Sequence, residues 1–216
     1  FLVSCLLAAV GLLLHLPLPE SYIPASNDSR HSFFSVLKKR RVFMVALLAF
    51  SFGFVLAASG NFVAPSAKEQ GLAFISAYYI SYSLAAVITR LVGGRLADRI
   101  GEERVIPYAT IVTCAGIFEL MFLGGTMILI VSGLMSGCGH GFLFPCLNSV
   151  VIRNEPISIR GKITGVFTGA IDAGAFVGSI VLGYIGEWKG FGTLFFAAGL
   201  VLLIGLCVYR PHKRSF

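Results

Sequence analysis

The sequence predicts an all-helical integral membrane protein: a six-transmembrane-helix bundle preceded by the end of a seventh, truncated span. Three observations predict it. Of 216 residues, 56% are apolar and only 12% charged, and the mean hydropathy is +0.87; a water-soluble domain carries roughly 25% charge. The apolar residues gather in runs about as long as the ~20 residues that cross a bilayer as a helix. The basic residues alternate between these runs, crowding one side. No run alternates as a barrel strand would, and in hydrocarbon only helices or closed barrels satisfy every backbone N–H and C=O.

Taken in order, the run Phe1–Leu16 is short and opens on Phe rather than Met. It lacks a charged leader and a small-residue cleavage signature, so residues 1–16 read as the end of a truncated transmembrane helix, not a signal peptide. Residues 17–42 form a cytoplasmic linker rich in Pro17, Pro19, Pro24, Ser26, Asn27, Asp28 and Ser29. Its end, Phe33 to Arg41, turns from apolar to basic, which suits the inner membrane surface or a solvated flank. The bundle occupies 43–210, with spans at 43–65, 72–92, 105–123, 127–152, 163–185 and 191–209; residues 211–216 form a tail. Six helices divide three and three, and the hydropathy permits the 3+3 inverted repeat of many carriers.

Orientation follows from the cations. One set of connections holds Arg30, Lys38, Lys39, Arg40 and Arg41, then Arg90, Arg95, Arg99 and Arg104, then Arg153, Arg160 and Lys162, then Arg210, Lys213 and Arg214. The other set holds only Lys68 and Lys189. The positive-inside rule places the cation-rich side, and the C-terminus, in the cytoplasm of a multi-pass protein of the cell (inner) membrane. Arg90, two residues from the end of its run, reads as a side chain snorkelling to that interface. The net charge of +7 is thus explained by topology, and these loops lack the interleaved aromatics of a nucleic-acid groove.

The sharpest motif is Gly94–Arg95–Leu96–Ala97–Asp98–Arg99–Ile100–Gly101–Glu102–Glu103–Arg104, read as the short cytoplasmic turn between the second and third spans. Gly94 and Gly101 permit a tight reversal and close helix approach. Asp98 can accept hydrogen bonds from Arg or a helix N-terminus, and Arg95, Arg99 and Arg104 anchor the inner face. The pattern Gly-x-Leu-Ala-Asp-Arg-x-Gly-x-x-Arg resembles the signature loop of the major facilitator superfamily. What the resemblance implies is a transporter of two six-helix bundles around a central cavity, working by rocking alternation. This chain would be the C-terminal half: helices 7 to 12 after the end of helix 6. The missing N-terminal half would be its partner, and Asp98 would help latch one state against a helix of that half.

The fifth span carries the second constellation. Gly161, Gly165 and Gly169, then Gly174 and Gly178, are spaced by four, as where helix backbones pack closely. Asp172 follows Gly165 by seven residues, shares its face and lies near mid-span. A carboxyl there costs roughly 2.5 kcal/mol or more to insert and is a functional hypothesis by default. The stretch also resembles the corresponding helix of bacterial drug- and sugar-efflux members, so Asp172 is the leading candidate for a proton or a cationic group; its alternative is a structural, hydrogen-bonded acid.

In Gly137–Cys138–Gly139–His140–Gly141, followed by Pro145 and Asn148, three glycines and a proline weaken and bend the helix. His140 is a candidate proton relay or a satisfied polar residue at a helix crossing. The resemblance makes this helix 10, a cavity-lining helix, and favours His140 and Asn148 as pocket residues. Asn61 and Tyr82 join the candidates as polar groups on the first two spans, and Glu119, near the outer end of its run, as a further acid. The five cysteines lie in apolar runs without metal or disulfide spacing; no metal and no cofactor are expected. Neither Gly-x-Ser-Gly nor His-Glu-x-x-His occurs, and no phosphate-binding Gly-x-x-x-x-Gly-Lys loop. The expectation is a non-enzymatic secondary active carrier, with proton-coupled transport or efflux of a small organic solute or sugar by alternating access, as in an antiporter; the alternative is a passive channel or a non-transporting membrane helical bundle.

Overall fold

The computed structural model describes residues 2–16, 33–153 and 155–209; the side chains of Phe33, Phe34, Arg95 and Asp98 fall outside the description, as do linker residues 17–32 and the tail 211–216. The chain divides into two units, residues 1–30 and 31–216. In the first, α1 (Leu2–His15) is an apolar helix whose leucines and valines are all exposed.

The second unit holds α2 (Phe33–Leu37), then α3 (Arg40–Ala57), which runs through a π-helical turn at Ala58–Phe62 into α4 (Val63–Glu69). Next come α5 (Ser76–Ile100), α6 (Glu102–Glu119) with a 3-10 turn at Leu120–Phe122, α7 (Thr126–Ile152) and α8 (Ile157–Val208). There is no strand among the described residues. Among the described residues, four helical stretches are long and apolar enough to cross a membrane: Arg40–Glu69, Glu102–Phe122, Thr126–Ile152 and Ile157–Val208. α5 stands outside that set because Ser76, Tyr78, Tyr79, Ser81, Tyr82 and Ser83 crowd its first half.

A straight helix of 52 residues would measure about 78 Å, more than twice a hydrocarbon core of ~30 Å. Gly190 divides α8: its φ of 80° and ψ of 167° are not helical. Segments 157–189 and 191–208 double back on each other, since a Cβ built on Gly186 would lie 2.9 Å from Leu194 Cδ1.

On α5 packing is inverted relative to a soluble protein. The buried face is small and polar, with Ala77, Tyr78, Ser81, Ala85 and Thr89, while Ile80, Leu84, Val87, Ile88, Leu91 and Val92 point outward. In lipid there is no gain from hiding aliphatic side chains, so close backbone contact drives association instead. α7 provides it on two sides. A Cβ on Gly137 would come 2.1 Å from the Tyr82 carbonyl oxygen on α5, and one on Gly139 would come 2.7 Å from the Ala109 carbonyl oxygen on α6. These glycines therefore seat neighbouring helices, and α7 remains one continuous helix through Pro145. α3 lies on α8 in the same way, with Gly174 against Phe50 and Gly178 against Phe54.

Two expectations need correction. The motif Gly94 to Arg104 is not a loop: α5 continues to Ile100, Gly101 alone turns at φ 94°, and α6 starts at Glu102. Nothing between Arg95 and Ile100 breaks a helix, and Gly94 meets no neighbouring atom within 4 Å. Gly165 and Gly169 likewise have nothing within 4 Å. They are not packing glycines in this bundle, because they lie on the face of α8 turned away from α3.

Candidate functional site

The structure gathers polar side chains on α3, α5, α7 and the first half of α8. The Tyr82 hydroxyl and His140 Nδ1 share a hydrogen bond of 2.5 Å, joining α5 to α7. The His140 ring meets Phe52 of α3 edge-on at 5.1 Å and stacks on Phe144 at 6.4 Å; Phe144 in turn lies 5.4 Å from Phe167 of α8. His140, Phe144 and Asn148 recur every four residues and so share one face of α7. The Asn148 Oδ1 is buried without a hydrogen-bond partner among the described residues.

Asn61 sits in the π-helical turn, exposed, and its Nδ2 donates to Ser179 Oγ on α8 at 2.9 Å. The Tyr79 hydroxyl donates to the Gly60 carbonyl in the same turn at 3.4 Å. A π turn inserts one residue into a helix and is frequent at functional sites; here it presents Gly60 and Asn61 to the open side. Asp172 lies near the middle of segment 157–189, exposed, on the strip that also holds Gly165, Thr168, Gly169 and Phe176. No hydrogen bond or ion pair joins Asp172 to Tyr82, His140, Asn148 or Asn61. Glu119 ends α6 apart from this group, half-buried, with Oε2 sealed from solvent and lacking a partner among the described residues.

A cavity of about 480 Å³ opens between α5 and α7, lined among others by Thr89, Arg90, Gly93, Phe142, Phe144 and Ser149. Arg90 is exposed into it. Glu102 also borders it, but that carboxylate is buried and bonded to Arg153 and to the Ser149 hydroxyl, the latter at 2.9 Å. Two further ion pairs tie the same end of the bundle: Lys39 with Glu155 at 2.5 Å and Arg41 with Glu103 at 3.0 Å. Sequence reasoning missed these ion pairs, because their members stand 51 to 116 positions apart and only the fold makes them neighbours. Of the motif residues, Arg99 and Arg104 are exposed, and the side chains of Arg95 and Asp98 fall outside the described residues.

With this geometry in view, the chain matches the family model described as Major Facilitator Superfamily over residues 1–156 and 74–215. It is 30% identical to an uncharacterized MFS-type transporter, YhhS of Escherichia coli K12, over 96% of this chain and 50% of that protein. It is 31% identical to the voltage-gated purine nucleotide uniporter SLC17A9 of Mus musculus over 66% of this chain and 32% of that protein. Among solved structures, a mutant of the peptide transporter POT in complex with sulfate superposes with TM-score 0.66 at 25% identity, covering 78% of this chain and 36% of the other. The POT family transporter PepTSo gives TM-score 0.68 at 17% identity over 82% of this chain and 40% of its own. The chain thus spans about a third to a half of the length of the relatives it matches.

Proposed function

The chain belongs to the major facilitator superfamily, a multi-pass membrane transport family, and from that premise we propose that it is the C-terminal six-helix half of a proton-coupled carrier exporting a small organic solute. The observation that carries the reading is the open strip on α8. Asp172 stands there beside glycines that pack against nothing in this bundle. A carboxyl in a membrane span is expensive to hold unless it faces a water-filled cavity or a partner. A strip of small residues is how a helix admits another backbone. The two together support a face that meets the other six-helix half, with Asp172 at the shared cavity. Asp172 would gain and lose a proton as the halves rock, while Tyr82, His140, Asn148 and Asn61 line the same side and contact solute. One relative of 24% identity is a multidrug resistance protein, MdtG of a Rahnella strain, which supports export of small organic compounds.

The test is flux. The full-length protein in liposomes loaded with a pH-reporting dye should move protons when one class from a panel of sugars, organic ions and dyes is added. Solute movement should saturate and collapse when the gradient is dissipated. Flux that rises linearly and ignores the gradient would make it a channel. The orientation has its own test: an impermeant amine reagent applied from outside should modify Lys68 and Lys189, and a cysteine placed at Arg99 should be reached only from the cytoplasm. Labelling of all three from one side would remove the bundle topology.

A further inference from the structure

Arg90 is exposed on α5, four residues before the polar stretch Gly94–Ile100. A guanidinium on a membrane helix faces water or a counter-charge. Among the described residues no ion pair includes Arg90, and Glu102, the acid at the cavity wall, is already bonded to Arg153 and Ser149. Among those residues the cavity thus holds a cation without an ion-pair partner.

Its volume of about 480 Å³ falls within the roughly 300–1,000 Å³ of small-molecule sites. Phe142, Phe144 and Pro145 give it apolar walls, and Thr89 adds a hydroxyl. Gly93 lets the Phe142 ring lie directly against α5, since a Cβ there would come 2.4 Å from the ring.

We propose that the α5–α7 cavity binds the oxyanion, carboxylate or phosphate, of a small and otherwise apolar organic solute, with Arg90 forming the fork that holds it. Guanidinium matches the two oxygens of such a group in planar, bidentate fashion, and the phenylalanines cover the apolar remainder. The inference rests on the transport reading and names its substrate class.

The experiment is binding without flux: titration of the full-length protein in phosphatidylcholine nanodiscs with benzoate, inorganic phosphate and, as a cationic control, tetraethylammonium. Benzoate or phosphate should bind saturably and tetraethylammonium should not. Arg90→Gln should weaken the anion by at least about tenfold, the usual scale of a lost charged hydrogen bond. Arg90→Lys, which keeps the charge and loses the fork, should weaken it less, and it carries the test if the Gln variant fails to insert. Equal affinity in wild type and both variants overturns the proposal, as does absence of anion binding. Arg90-dependent stabilisation by phosphatidylglycerol discs without soluble-anion binding would assign the oxyanion to a lipid headgroup and also overturn it. Since no gradient is involved, a failure here leaves the flux result standing, and a failed flux assay leaves this one readable.

Discussion

Gly137→Val will leave little folded protein in the membrane. A Cβ on Gly137 would sit 2.1 Å from the Tyr82 carbonyl oxygen and 2.8 Å from its Cα. These are backbone atoms, which no rotamer change removes. α5 would have to lift off α7, taking with it the contacts at Gly133 and Gly141 and the Tyr82–His140 hydrogen bond. Overpacking that side chains can absorb costs about 1–3 kcal/mol. This one exceeds that range and consumes a large part of the ~5–15 kcal/mol that holds a native protein together. The monodisperse fraction and melting temperature of the full-length variant in detergent check this. A Gly137→Val protein that melts with the wild type would contradict the described α5–α7 contact.

Asp172→Asn in the full-length protein will insert normally and lose gradient-driven accumulation by at least tenfold, about 1.4 kcal/mol in transition-state terms. Asn keeps the size of Asp and removes the charge and the exchangeable proton. Asp172 is exposed, so no packing contact within the bundle is lost, and a neutral side chain in a membrane span is cheaper than a carboxylate. Damage to transport without damage to expression separates a proton role from a structural one. Accumulation at the wild-type level, measured beside a pH-dye signal, would exclude Asp172 as the coupling group.

What the sequence disclosed and what it withheld follow from different physics. A bilayer imposes a length on any apolar run, which made the all-helical character legible: the described residues form helices and no strand. Helix ends that project into water need no apolar pattern, which is why the stretch from Gly94 to Ile100 read as a loop and is helix. Asp172 was legible as a lone acid in a long apolar run. The direction each glycine faces was not: Gly165 and Gly174 occupy equivalent four-residue spacings, yet one is open and the other touches Phe50. The π turn at Asn61 left no signature in residue types at all.

Gly190 carries a mechanical consequence. A one-residue corner joins the adjoining ends of the two arms of α8 with no intervening loop, so the two arms cannot separate there. In α3 the π turn interrupts the regular ladder instead, at a place where helices bend.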